Sequence, residues 1–224
     1  MVAKIHWILL TALALLTAGC SFERNIKLDA RLPLSPAFKK MPLNIAVYYS
    51  PEFVGFTKKI ELIGCGPNGR KDKTGIFFIF PMGTSSRDLF DQIIESMFTS
   101  VTRTSGASLS FSNTQSIDGL LEVRIESFDW ETECTRDYLS AGRFLARVSY
   151  VINLYNSPDG RLLASMRVAG QGNEDPKLCL KDCKDSIAAE QAIKDAMAKF
   201  MTDFQKQPEV RRWLSSHVPM PGNH

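Results

Sequence analysis

The sequence predicts an α+β fold: one antiparallel or mixed sheet of about four to six strands with two helices packed on one face. Three observations carry this expectation. Residues 144–155 and 161–168 alternate apolar and polar side chains around a tight turn, the mark of a half-buried hairpin. Residues 85–101 and 186–206 carry apolar side chains at three- and four-residue spacing, the mark of amphipathic helices. Shorter runs rich in β-formers, bounded by Gly and Pro, precede the first helix. A sheet with one apolar face and two helices with apolar stripes bury each other in two layers.

The elements follow in order. Lys4 and His6 precede residues 8–16, apolar except for Thr11, and Thr17, Ala18 and Gly19 come next. Charge, apolar run and small residues in that order form an export signal, and the run is too short to cross a bilayer as a permanent helix. Leu16-Thr17-Ala18-Gly19-Cys20 resembles the cleavage box of bacterial lipoproteins. That resemblance implies removal of residues 1–19 and acylation of Cys20. It also implies sorting to the outer membrane, because Ser21 stands where an Asp commonly retains such proteins at the inner membrane. Several acyl chains make a durable anchor, since each buried methylene contributes about 0.8 kcal/mol. Residues 20–41, with Pro33 and Pro36, read as a lipidated tether.

The globular part is expected over residues 42–214. Residues 43–49, LNIAVYY, form a strand that ends near Pro51, and residues 58–63 a second, short one. Residues 64–69, GCGPNG, are a turn-rich loop, and residues 76–80, IFFIF, an apolar strand with Pro81 at its exit. A helix then starts near Ser85, with Asp88 at an acid position of its first turn. Its stripe runs through Leu89, Ile93, Met97 and Val101, beside Phe90, Ile94 and Phe98. Leu121, Val123 and Ile125 alternate with Glu122, Arg124 and Glu126 as a strand. The hairpin of 144–155 and 161–168 turns at Ser157, Pro158, Asp159 and Gly160. The second helix, 186–206, carries Ile187, Ile193, Met197, Phe200, Met201 and Phe204, with alanines for close packing. Pro208 limits it, residues 209–214 form a short terminal turn, and 215–224 are a flexible tail.

The chain has 27 Lys and Arg against 24 Asp and Glu, a mildly basic balance that says little about partners. Export, and the lack of a basic tail or aromatic-basic repeat, argue against nucleic acid. Of 5 cysteines, Cys20 is assigned to the anchor. The even remainder in an oxidising compartment predicts two disulfides, with three pairings open. The favoured arrangement joins Cys179 to Cys183 in a local loop and Cys65 to Cys134 across the chain. His217 and His224 near the chain end do not complete a metal site with these thiols, and the three-residue spacing of Cys179 and Cys183 is not that of a redox dithiol.

Candidate chemistry is sparse. The loop GCGPNGR, residues 64–70, lacks the lysine and Ser/Thr of a phosphate loop, and Pro67 removes a backbone donor. Lys58, Lys59, Arg70, Lys71 and Lys73 form a basic contact loop for anionic headgroups or an acidic protein, set against ordinary solvated charge. Glu122 and Glu126 share a strand face, with Asp129, Glu131 and Glu133 beyond, which fits a solvent face better than an acid-base pair. No G-x-S-x-G elbow accompanies the serines. Trp130 and Trp213 are more readily core aromatics than recognition groups. No catalytic, metal or cofactor residues are therefore predicted.

The element order over most of the mature chain is similar to small envelope lipoproteins, including auxiliary lipoproteins of lipid-export systems and the lipoprotein plug of the lipopolysaccharide-export pore. The resemblance implies a membrane-anchored, periplasmic-facing protein that supports a cell-envelope protein complex through the exposed sheet face. The alternative is a lipid or amphiphile carrier using a groove between sheet and helices.

Overall fold

The computed structural model describes residues 22–31, 40–105, 117–134, 142–157, 159–174 and 186–217. In chain order the elements are β1 (Phe22–Asn25), β2 (Met41–Tyr49), α1 (Pro51–Val54), β3 (Lys58–Cys65), β4 (Lys71–Phe80), α2 (Met82–Met97), β5 (Phe98–Thr104), β6 (Gly119–Glu133), β7 (Arg143–Asn156), β8 (Leu162–Glu174), α3 (Ile187–Asp203) and α4 (Pro208–His217). The fold is α+β with mixed sheets, but there are two sheets where one was expected. A five-stranded sheet has the order β5-β2-β6-β7-β8, and a three-stranded sheet the order β1-β4-β3. In the larger sheet β5, β2 and β6 run parallel to their neighbours, while β6, β7 and β8 form an antiparallel meander.

The meander follows the predicted alternation. Ala146, Val148, Tyr150, Ile152 and Leu154 of β7 are buried on one face. Their register partners on β6 change parity midway, because a bulge between Ile125 and Ser127 adds one residue. Leu121 and Val123 before the bulge, and Phe128 and Trp130 after it, thereby point to the same side. Helices α2 and α3 cover one part of that face. Phe90 of α2 meets Tyr150 edge-on at 5.2 Å and Phe200 of α3 at 5.9 Å, and the Ser86 and Tyr150 hydroxyls share a buried bond of 2.6 Å. The three-stranded sheet covers the rest through Phe80 on Phe128 at 5.3 Å and Phe78 on Trp130 at 5.4 Å. Trp130 in turn stacks on Phe144 at 4.8 Å. A disulfide between Cys65, at the end of β3, and Cys134, just past β6, ties the two sheets together.

Helix α3 lies almost on the backbone of β8. A Cβ on Gly170 would fall 2.5 Å from the Ala196 amide nitrogen, and one on Gly172 2.6 Å from that of Ala192. Only glycines facing an alanine stripe allow that approach. Three side chains of α3 then occupy the outer edge of β8. Lys199 Nζ donates to the Ala169 carbonyl at 3.0 Å, Asp195 accepts from the Gln171 amide at 2.9 Å, and Gln191 accepts from the Asn173 amide at 3.0 Å. This half of the edge is thus closed to a further strand.

Four expectations change. Residues 98–101, expected to continue the first helix, leave it at Met97 and form the start of β5. Val101 fits helical spacing, but it pairs with Ile45 in a parallel ladder, and Arg103 reaches back to Asp91 and Glu95 of α2. Helix α2 begins at Met82, a turn before Ser85, with no side-chain cap, because Gly83 presses against the end of α1 and donates its amide to Phe56 at 2.9 Å. Pro208 opens a helix instead of ending one: α3 stops at Asp203, a short 3-10 turn spans Phe204–Lys206, and α4 replaces the expected terminal turn. Part of the expected tether is folded into the domain. Phe22–Asn25 pair with β4, Ile26 and Ala30 are buried, and the Asp29 amide donates to Glu190 at 3.0 Å.

Candidate functional site: the arginine-bearing sheet face

Side chains at alternate positions of β6, β7 and β8 point away from α2, α3 and the three-stranded sheet. Register aligns Tyr48, Glu122, Asn153 and Ser165 in one row across four strands, and Arg124, Val151 and Arg167 in the next. Glu122 organises the first row. Its Oε2 accepts from Asn153 Nδ2 at 3.0 Å and from the Tyr155 hydroxyl at 2.8 Å, and its Oε1 from Arg124 Nε at 3.0 Å and Nη2 at 2.7 Å. Ser165 completes the row by donating to Asn153 Oδ1 at 2.7 Å.

Burial works to raise the Glu122 pKa, but the hydrogen bonds from Asn153, Arg124 and Tyr155 and the charge of Arg124 outweigh it, and the net shift is downward. The Tyr155 hydroxyl moves up, first by burial and then because it donates to that carboxylate. A carboxylate has about four acceptor sites, and four donor bonds fill them. Glu122 therefore has neither a raised pKa to release a proton nor a vacant lone pair to take one, and it acts as a structural pivot.

The pivot sits low and its arginine sits high: the Glu122 side chain is 6% exposed and that of Arg124 60%. Two further pairs lie along β6, on carboxylates more exposed than Glu122, 46% for Glu131 and 37% for Glu126. Arg147 pairs with Glu131 at 3.1 Å, and Arg167 of β8 with Glu126, which also accepts from the Ser149 hydroxyl at 2.9 Å. Three exposed guanidinium groups, Arg124, Arg147 and Arg167, thus each stand on a carboxylate of the same strand. The two-residue spacing of Glu122, Arg124 and Glu126 marks this face in the sequence; the arginines of β7 and β8 become part of it only through the register.

Other sequence candidates distribute differently. Lys58 and Lys59 lie opposite Phe80 and Ile79, whereas Lys71 and Lys73 lie opposite Cys65 and Ile63. The register sets the two sites four β3 steps apart, from Lys59 to Ile63, about 13 Å, so the five basic residues make two groups, not one patch. Lys59 pairs with Glu23, Arg70 with Asp72 at 2.9 Å, and Lys73 with Glu61 at 3.6 Å. Trp130 and Trp213 are both buried, as core packing requires. Cys20, Cys179, Cys183 and His224 lie outside the described residues.

Where α3 crosses Gly170 and Gly172 there is no room for a methyl group between helix and sheet. A small cleft of about 230 Å³ lies beside Arg147, Gly172 and Gln191, and two larger ones lie elsewhere. One of about 600 Å³ lies between the β7–β8 turn and α4, beside Leu162 and Arg212, and one of about 960 Å³ between residues 25–31 and the start of α2. Among the described residues there is no cluster of three metal-type ligands, and no helix is long and apolar enough to cross a membrane.

No family model and no curated protein matches the chain. Solved structures resemble it at low identity. A Xanthomonas campestris protein of the DUF330 family is 14% identical with a TM-score of 0.47, the match covering 88% of this chain and 99% of that one. A Helicobacter pylori protein described as a neuraminyllactose-binding hemagglutinin homolog is 13% identical with a TM-score of 0.43, covering 87% and 100%. A Caulobacter crescentus protein described as a lipoprotein is 16% identical with a TM-score of 0.34, covering 60% and 84%.

Proposed function

We propose that this chain is a lipid-anchored protein on the periplasmic side of the outer membrane, attached through Cys20, whose globular part supports a cell-envelope protein complex by surface recognition. The export signal and the Ala-Gly-Cys box support the location. The observation that carries the recognition is the set of Arg124, Arg147 and Arg167, each held by a β6 carboxylate on the face away from the helices. Arginine is enriched at protein interfaces, and a guanidinium already held in place loses less freedom when a partner binds. Partner carboxylates or backbone carbonyls would share the outward N–H groups. Such a contact is polar and salt-sensitive, and it suits a transient complex. Glu122, saturated by its donors, stiffens the platform and performs no bond chemistry.

Mild crosslinking in native membranes followed by co-purification tests this reading. A protein neighbour is expected with the native chain and with Glu133→Gln, a β6 carboxylate outside the three pairs, and is lost with the pair Arg124→Glu and Arg167→Glu. Identical neighbours from all three chains would contradict recognition through this face. Labelled palmitate tests the anchor separately: it should enter the native chain and not Cys20→Ser.

A further inference from the structure

We propose that the open half of the β8 edge binds an extended C-terminal segment of a partner protein, with its terminal carboxylate in the cleft between the β7–β8 turn and α4. This contact uses backbone and cleft instead of the arginine face, so either can fail without the other. β8 pairs only with β7 and ends the larger sheet. The bonds from α3 show which of its groups point outward: the Ala169 carbonyl and the amides of Gln171 and Asn173 face Lys199, Asp195 and Gln191. Backbone groups return to the same edge at every second residue, and the β7–β8 register runs unbroken from Glu174 to Ala164. The amides and carbonyls of Ser165 and Arg167 therefore face outward too, and they meet no backbone partner there among the described residues. Both residues are exposed. Such a row is a template for one more strand. Lys199 bounds it at Ala169. From Arg167 back to Leu162 the open stretch covers about 17 Å, room for about five residues.

The larger sheet ends in an antiparallel meander, and antiparallel pairing is the more stable kind. A segment added in that sense enters beside Arg167 and leaves beside Leu162, so its C-terminal end arrives at the cleft of about 600 Å³. One face of α4, with Glu209, Arg212, Trp213 and Ser216, forms one wall, and Arg161 and Leu162 lie in the other. Charge there favours an anion. Arg161 makes no ion pair among the described residues, since nearby Asp159 accepts from Asn156 and from the Arg161 amide. Arg212 is 77% exposed and keeps N–H groups beyond its bond to Glu209 at 3.2 Å. The Trp213 carbonyl, which would repel an anion, accepts from Ser216 Oγ at 2.7 Å and from His217 Nδ1 at 2.9 Å. Trp213 itself is buried, and its indole N–H has no acceptor among the described residues. What this wall lacks is an acceptor, and a terminal carboxylate supplies one. Leu162, 50% exposed, gains cover from an apolar residue near the end of the segment.

Random heptapeptides displayed with free C-termini and offered to the full chain are the probe. Selected heptapeptides should bind the native chain, and the same sequences with an amidated C-terminus about tenfold more weakly. The double variant Arg161→Ala and Arg212→Ala should remove that difference, because both side chains are exposed and act on the carboxylate. N-methylation of the peptides at alternate residues reads the strand: one parity should abolish binding and the other leave it nearly unchanged. Heptapeptides that bind the native chain equally as acid and amide, or that tolerate both N-methyl series, overturn the proposal, and so does failure to select any. Proline is tolerated on an edge strand where its nitrogen faces solvent. A full-chain dimer that Ser165→Pro dissociates would therefore give the edge to a second copy and overturn the proposal as well.

Discussion

Gly170 lies so close beneath α3 that a Cβ there would sit 2.5 Å from the amide nitrogen of Ala196. The contact is with helix backbone, so no side-chain rotation relieves it. Gly170→Ala should cost about 3 kcal/mol, read as a lower urea midpoint. Gly75→Ala is the control. Gly75 has φ +71° and nothing within 4 Å of its missing Cβ, so only the left-handed backbone opposes the methyl group, at about 1 kcal/mol. Equal losses at the two sites would contradict the packing argument.

How much of this was legible follows from where each force acts. The β7–β8 hairpin and the stripes of α2 and α3 are local patterns, and they read out directly. Ala188, Ala192 and Ala196 at four-residue spacing also carried the close packing in outline, while Gly170 and Gly172 lie beyond residue 168, where the second hairpin strand was expected to end. β1 and β5 were not legible, because Phe22–Asn25 has too few residues for a pattern and Phe98–Thr104 continues a helical stripe. Each becomes a strand through its parallel partner, β4 or β2. The division into two sheets depends on Phe78 and Phe80 stacking against Phe128 and Trp130, a tertiary choice. In the arginine face, β6 showed its own alternation, while Arg147 and Arg167 joined it through register alone.

Tyr150 and Ser86 share a hydroxyl pair inside the core. Tyr150→Phe leaves the Ser86 hydroxyl buried without that partner, at about 1–3 kcal/mol. Adding Ser86→Ala should restore most of the loss, because both polar groups are then gone. A double variant as unstable as the single one would show that the bond matters less than the shape of the tyrosine.

Glu122 should give the protein an acid-sensitive term. Its folded pKa lies below the ordinary 4.5, since burial is outweighed by Asn153, Arg124 and Tyr155. A carboxylate with a depressed pKa stabilises the fold fully above its unfolded value and loses that contribution as pH falls through the folded one. The stability gap between the native chain and Glu122→Gln should be constant above pH about 6 and shrink below 4.5. A gap that widens toward acid would reverse the sign and refute the assignment.

Cys65 and Cys134 are 69 residues apart in the chain. Closing a loop of that length restricts the unfolded chain by about 4 kcal/mol. The double change to alanine should lower stability by an amount of that order. It should also release the three-stranded sheet before the larger one unfolds, visible as an early change in Trp130 fluorescence. A single unchanged transition would contradict the role of the bond in holding the two sheets together.

Val151 sits between Arg124 and Arg167 in cross-strand register, at the centre of the proposed recognition face. Photo-crosslinking in intact cells from a photoreactive residue at position 151, with exposed Ala198 of α3 as the control site, tests that face most directly. The account predicts a discrete protein adduct from position 151 that Arg124→Glu and Arg167→Glu abolish, and none from position 198. An adduct from 198 alone, or no adduct from 151 in correctly localised protein, would contradict it.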